Sequence, residues 1–368
     1  MIQACLLYGG DPLSGCETRL ESYNRKVRLL RSMLANRQAD SLCLSSQAAT
    51  SWLTGARSYI NVAAEAACFK VVVTADEVYM LVNNIEADRL KDEELDGLPI
   101  EVRSYSWFTT EETPEGALPE AAISDWLRSQ QFVLDPYEQG LLRQLSSEVG
   151  ASVAEVMKSF DPGIREMELA ARLHEALMSR GIEPVVTLVA GDDRTKLRRH
   201  PLPTHNRIQR YALAAVCGRR QGLIASVTRS VSFNPLSADL ARRHDASAAV
   251  DAIAISNTKS GRTLGFVLEQ IQQGYADCGF AGEWKLHHQG GVTGYYTRAL
   301  LAKPKSTVAL EAGMAIAWNP SVAGTKTEDT CLVGDEGATI LTLSSDDWPT
   351  KLHQTSSGVV ERPSILVR

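Results

Sequence analysis

The sequence predicts two domains, an α/β domain followed by an α+β domain. Three observations predict this. The 368 residues exceed what one average domain holds. Strand and helix patterns alternate through residues 1–141. Residues 142–345 then carry amphipathic helices, one long hairpin and several short strands, and residues 346–368 read as a polar tail.

In the first domain, Glu17 to Arg37 sets Leu20, Val27, Leu29, Leu30, Met33 and Leu34 among charges, the mark of an amphipathic helix. Ser41 to Leu44 is a short strand, and Ser51 to Gly55 a turn closed by its glycine. Cys68 to Thr74 and Glu77 to Val82 form a hairpin about Ala75-Asp76. A charged helix starts at Asn83 and runs to Leu95. Ile100 to Tyr105 is a strand, Pro119 to Gln130 a helix, and Phe132 to Asp135 a strand.

In the second domain, Leu142 to Phe160 and Arg165 to Arg180 are helices, separated at Asp161-Pro162-Gly163, the latter stopped by Gly181. Val185 to Ala190 is a strand, and Gly191 to Asn206 a polar loop that contains His200. Helices follow at Ala238 to Ile255 and Leu264 to Tyr275. A glycine-rich loop, His287 to Arg298, precedes strands at Ala312 to Trp318, Thr327 to Val333 and Ala338 to Leu343.

The hairpin, Tyr211 to Ser230, organises this domain. Apolar and β-branched runs flank Gly218-Arg219-Arg220-Gln221-Gly222, a turn signal. With Arg220 and Gln221 at the tip, Ala215 opposes Ser226, Cys217 opposes Ile224 and Leu213 opposes Thr228. Opposed side chains on one face stand close enough to grip a single object.

Composition is that of a soluble globular chain, 44% apolar and 22% charged. A net charge of −6 argues against a broad nucleic-acid surface. No apolar run reaches about eighteen residues, so no membrane span is expected. The N-terminus lacks the basic start and apolar core of a secretory signal. Seven scattered cysteines with no C-x-x-C pair suggest reduced thiols in a cytoplasm.

Several motifs together resemble the creatinase, prolidase and aminopeptidase P family, whose second domain is the "pita-bread" fold. They are Trp52-Leu53-Thr54-Gly55, Asn83 to Leu90, Pro162-Gly163 with Glu166, the hairpin ending Val227-Thr228-Arg229, and Thr327-Glu328-Asp329-Thr330. The resemblance implies a creatinase-like α/β N-terminal domain and an α+β pita-bread C-terminal domain that carries the chemistry. It also implies a homodimer acting on a small-molecule substrate. Metal-dependent members of that family bind two divalent ions with two Asp from the hairpin, one His and two Glu. Here the hairpin positions hold Ala215 and Ser226, and Asn319 stands where the first Glu would be. His288 falls at the ligand histidine, with His287 competing, Glu328 at the final Glu, and His200 near the family's earlier active-site histidine.

Three of the four ligand carboxylates are thus absent. Hard divalent ions need several oxygen donors, and zinc at least three protein ligands. No metal and no cofactor are therefore expected. Creatinase, by resemblance, hydrolyses a C–N bond of a guanidino compound without metal, using a histidine as acid and base. His200 would take that role here, with His288 second. Glu328 would hold a cationic group of the substrate, or would instead form a salt bridge with Lys326 or Arg229. His287, Tyr295 and Arg298 would contact substrate from a loop whose glycines admit backbone N–H groups, unless that loop is a structural turn. Ser226 and Asn319 would line the cleft. Cys217 is either a nucleophile or a small buried apolar residue. Arg219 and Arg220 read as solvated, and His174, His244 and His353 fit no pattern. Three functions compete: a metal-independent C–N hydrolase, a non-catalytic ligand- or peptide-binding protein, and an Xaa-Pro peptidase with an altered metal site.

Overall fold

The computed structural model describes residues 17–110, 113–343 and 347–368. The N-terminal segment read for a signal, with Cys5 and Cys16, lies outside the described residues. The chain divides into two compact units, residues 1–131 with 135–138, and residues 132–134 with 139–368. Among the described residues no helix is long and apolar enough to cross a membrane.

The first unit contains α1 (Arg19–Arg37), β1 (Ser41–Ser46), α2 (Gln47–Thr54), β2 (Ala66–Thr74), β3 (Val78–Asn83), α3 (Ala87–Arg89), β4 (Glu101–Tyr105), β5 (Leu118–Pro119) and α4 (Ser124–Gln130). Its sheet has the order β4-β3-β2-β1-β5. The three inner strands are antiparallel, and both edge strands run parallel to their neighbours. Helix α1 starts in a capping box between Thr18 and Glu21, which satisfies two free N–H groups. It buries Val27, Leu30, Met33 and Leu34, while Leu20 stays exposed.

Three local expectations change here. The turn at Ser51–Gly55 is the end of α2, stopped by Gly55 in the left-handed region at φ 70°. The charged helix after Asn83 shrinks to α3 and one π-helical turn, Leu90–Glu94, whose Glu94 is buried on the Arg57 guanidinium and backbone N–H. The expected strand at Phe132–Asp135 is a single bridge from Val133 to Met314.

The second unit runs through α5 (Pro136–Ser159), α6 (Glu166–Met178), β6 (Glu183–Gly191), α7 (Arg194–Leu197), β7 (Tyr211–Arg220), β8 (Leu223–Ser232), α8 (Ala238–Ser256) and α9 (Leu264–Asp277). Then come β9 (Gly290–Val292), β10 (Leu300–Leu301), β11 (Ala315–Trp318), β12 (Ser321–Val322), β13 (Thr325–Lys326), β14 (Asp329–Val333), β15 (Ala338–Ile340), β16 (Thr350–Thr355), β17 (Gly358–Pro363) and β18 (Leu366–Val367). One sheet has the order β18-β8-β7-β6 and a second β10-β9-β11-β14-β15. Helices α8 and α9 pack on the second sheet through Val250, Val267, Ile271, Tyr275, Ile316 and Trp318. The two sheets join where Thr228 bridges Glu328, the Thr228 N–H donating to the Glu328 carbonyl at 3.0 Å.

The last segment is no separate tail. β16 and β17 form a hairpin, and β18 adds in parallel to β8. Arg362 is fully buried and donates to Asp251 and to Asp329. A single guanidinium nitrogen, Nη2, shared by two buried carboxylates fastens this segment into the unit, which its polar sequence does not announce.

Candidate functional site

The hairpin turns at Gln221-Gly222, both in the left-handed region, at φ 50° and 82°. Such a two-residue turn matches the twist of the flanking strands. The pairing is therefore two residues away from the expected register. Ala215 opposes Thr228, Cys217 opposes Ser226, Leu213 opposes Ser230 and Arg219 opposes Ile224. Ala215 and Ser226 still share a face, as diagonal neighbours, because a shift of two preserves the alternation. Arg219 and Arg220 are not solvated. They pair with Glu183 at 2.8 Å and Glu148 at 2.6 Å.

On that face stand Ala215, Cys217, Ser226 and Thr228. Cys217 Sγ lies 3.1 Å from Ser226 Oγ, and burial pushes its thiol up. A thiol held protonated in a closed site suits the small buried residue, not the nucleophile.

Glu328 is buried with both oxygens engaged. Arg298 donates to Oε1 at 2.6 Å, and Lys326 and Thr228 donate to Oε2 at 2.7 and 2.8 Å. Burial alone would raise this carboxyl, but Lys326 and Arg298 outweigh it and hold it at about 2. The cations beside Glu328 are thus the chain's own. The salt-bridge reading anticipated Lys326. Arg229 turns away to Asp329 at 3.0 Å and the Thr342 carbonyl.

Three histidines converge next to this cluster. His287 Nε2 lies 3.0 Å from His200 Nε2, and the His287 and His288 ring centres are 4.6 Å apart. One nitrogen from each of the three falls within 4.8 Å of the others. His200 is exposed, His288 half-buried and His287 buried. Burial first, then nearby cations including Lys326, lower all three, His287 to about 2 and His288 to about 4. Burial and the neighbouring cations thus favour the neutral form of all three imidazoles.

The loop expected to offer backbone N–H groups to a ligand has another use for its glycines. A Cβ on Gly290 would stand 2.2 Å from the Ala317 carbonyl oxygen, and one on Gly291 2.0 Å from that of Leu300. These residues let β9 run tight between β10 and β11. Gln289 accepts from the Tyr275 hydroxyl, and Tyr295 is buried. Of that loop, His287, His288 and Arg298 reach the cluster. Asn319 Nδ2 points at His287 Nε2 across 3.4 Å.

Among the described residues, three side-chain atoms in this region are buried without a protein hydrogen-bond partner: His288 Nδ1, Arg298 Nε and Asn319 Oδ1. Buried polar atoms are seldom left unpaired, so water or a polar ligand would meet them. Sequence reading undervalued Lys326 and missed Ser321, which touches both His287 Nδ1 and Arg199. Lys326 and Glu328, two apart on an extended segment, share a face, and that spacing was the available signal.

A model of the metallopeptidase family M24 matches residues 140–335, more than half of the 368 residues. The chain belongs to family M24. Among solved structures, prolidase from Pyrococcus horikoshii is similar at 16% identity and TM-score 0.74, covering 88% of this chain and 99% of that one. Dipeptidase PepE from Mycobacterium ulcerans is similar at 19% identity and TM-score 0.71, with coverages of 96% and 99%. The N-terminal domain of the FACT complex subunit SPT16 from Cicer arietinum (chickpea) is similar at 12% identity and TM-score 0.62, covering 88% and 95%. No match was found among curated proteins by sequence. The M24 chain therefore has the pita-bread fold, with an α/β unit preceding it.

The metal pair implied by an M24 fold does not fit the residues present. Ala215, Ser226 and Asn319 supply no carboxylate, and both Glu328 oxygens are occupied by Lys326, Arg298 and Thr228. Two dications would meet two fixed side-chain cations and one carboxylate.

Proposed function

We propose that this M24 chain hydrolyses a C–N bond, of a peptide or of a small amino- or guanidino-acid, without the family's metal pair. The observation that carries the reading is the 3.0 Å contact between the neutral imidazoles of His200 and His287 beside the Lys326–Glu328–Arg298 cluster. His200 faces solvent and takes a proton from water as general base. The resulting hydroxide attacks the substrate carbonyl or guanidino carbon. Lys326 and Arg298 stabilise the negative charge that grows in the addition step, a role preorganised cations serve well away from bulk water. The proton on His200 then passes to the leaving nitrogen, so one water is consumed and an amine released. Glu328 holds the two cations in place and does not bind a substrate cation. His288 and Asn319 line the site and orient the substrate. The working form would be a homodimer, as the family resemblance implies.

The test is hydrolysis of Xaa-Pro dipeptides, small amides and guanidino-acids, with and without chelator. Turnover should survive chelation and fall at least about a hundredfold in His200→Ala, the usual scale of a lost general base. Loss of turnover on chelation would sink the metal-free reading.

A second reading is a binding protein that retains the cleft. The full occupancy of Glu328 by internal partners favours it, as does the use of Gly290 and Gly291 in sheet packing. Saturable binding of one of these compounds without turnover would select it.

A further inference from the structure

We infer that His200, His287 and His288 form a three-imidazole site for one late first-row divalent cation, zinc foremost, distinct from the two-ion cage of M24 peptidases. The inference rests on the histidine geometry and not on hydrolysis.

Two nitrogens on one tetrahedral zinc stand about 3.3 Å apart, given Zn–N bonds of about 2.0–2.1 Å. His200 and His287 already present their Nε2 atoms at 3.0 Å. The three ligand atoms lie within 4.8 Å, and the ring centres form a compact triangle with sides of 4.9, 5.9 and 4.6 Å. Closing it needs a shift of roughly 1.5 Å on its widest side, measured against that tetrahedral spacing. His200 is exposed and free to make the shift.

The tautomer of His287 suits a ligand. The Asn319 amide nitrogen, a donor, faces Nε2, so Nε2 carries the lone pair, accepts from His200 Nε2–H as well, and leaves Nδ1–H to donate to Ser321 Oγ at 3.2 Å. A metal entering here takes that lone pair from both donors, and His200 moves its proton to Nδ1 to offer Nε2. Metal-bound histidines commonly give their second N–H to such an outer partner, which fixes the ring. His288 adds a buried Nδ1 with no partner among the described residues.

The donor set selects the ion. Three imidazoles without a carboxylate suit zinc, cobalt, nickel or copper, and suit magnesium, calcium and manganese poorly. Lys326 and Arg298 oppose any dication, while Glu328 offsets one of them. Moderate affinity follows. A His200 that gives Nε2 to the metal and carries its proton on Nδ1 has no lone pair left to act as a base, so the metal would also silence the proposed hydrolysis.

Cobalt(II) serves as a spectroscopic stand-in for zinc. Titration of the full chain with Co²⁺ should give one ion per chain, visible absorption bands of a four-coordinate site, and displacement by Zn²⁺ but not by Mg²⁺. No intense near-ultraviolet thiolate band should appear, because Cys217 is not a ligand. His200→Ala and His288→Ala should each weaken binding at least about tenfold, the lower end for disrupting a metal's surroundings. His200→Ala changes an exposed side chain, so loss of folding would not confound it. No saturable binding by the wild type, or unchanged affinity in both variants, would overturn the inference. Hydrolysis is not read in this titration, so absent metal binding leaves the hydrolase reading standing, and absent turnover leaves the metal site standing.

Discussion

The Lys326 ammonium stands 2.7 Å from Glu328, and the Arg298 guanidinium approaches the same carboxylate from its other oxygen at 2.6 Å. Two cations therefore depend on one buried anion. Removing the charge of Glu328 leaves both facing an uncompensated interior. Glu328→Gln should lower stability by about 3–5 kcal/mol, the scale for breaking a buried pair. Adding Lys326→Met should recover part of that loss. Denaturant midpoints measure both, and a single variant as stable as the wild type would show that the carboxylate contributes nothing.

Arg362 makes a second such demand. It is fully buried between Asp251 and Asp329, and Asp329 also holds Arg229. Arg362→Met should cost about 3–5 kcal/mol and unfold the second unit at lower denaturant. Adding Asp251→Asn should soften the loss, because burial already pushes the Asp251 carboxyl up to about 6. A change within about 0.5 kcal/mol, typical of surface substitutions, would mean the C-terminal hairpin is not anchored through this residue.

Rebuilding the metal cage requires more than its missing acids. Ala215→Asp with Ser226→Asp and Asn319→Glu should fail to retain Mn²⁺ in equilibrium dialysis. The Arg298 guanidinium lies 3.4 Å from Ser226 Oγ and would pair with a carboxylate placed there. Adding Arg298→Ala and Lys326→Ala should free the ligands and allow retention. Retention by the triple variant alone would refute this account of the site.

His244 supplies a pH-dependent term. It is buried, accepts from Thr325 Oγ1 at Nδ1 over 2.8 Å, and donates from Nε2 to the Pro363 carbonyl at 3.1 Å. Burial lowers it to about 4, and nearby His353 and Arg362 push the same way against Pro363 and Asp245. A histidine with a depressed folded value stabilises above its unfolded value of about 6.5, and that stability is lost as pH falls toward the folded one. The stability gap between wild type and His244→Asn should shrink by on the order of 3 kcal/mol between pH 7 and pH 4. Unfolding curves at several pH values measure it, and a constant gap would contradict a neutral buried imidazole.

Much of the fold was legible because its signals are local. Glycine at the hairpin tip and the apolar residues set among charges in α1 are written in neighbouring residues. The register slipped because Gln221 adopts a left-handed conformation that its side chain does not advertise. At the site, the family resemblance set Ala215, Ser226 and Asn319 at positions where metal-dependent members carry carboxylates. The pairing of Arg298 with Glu328 was not visible, since the two meet across 30 positions of sequence. Arg362 was invisible for the same reason, separated from Asp251 by 111 positions.

The burial of Arg362 also sets an order of assembly. Asp329 has Arg229 as a partner made before it, but Asp251 is made well before Arg362, its only cation among the described residues. Until β17 emerges, Asp251 is an acid that water must serve, so the interior around it cannot close. Completion of the second unit is thereby deferred until residues far along the chain from α8 have been made.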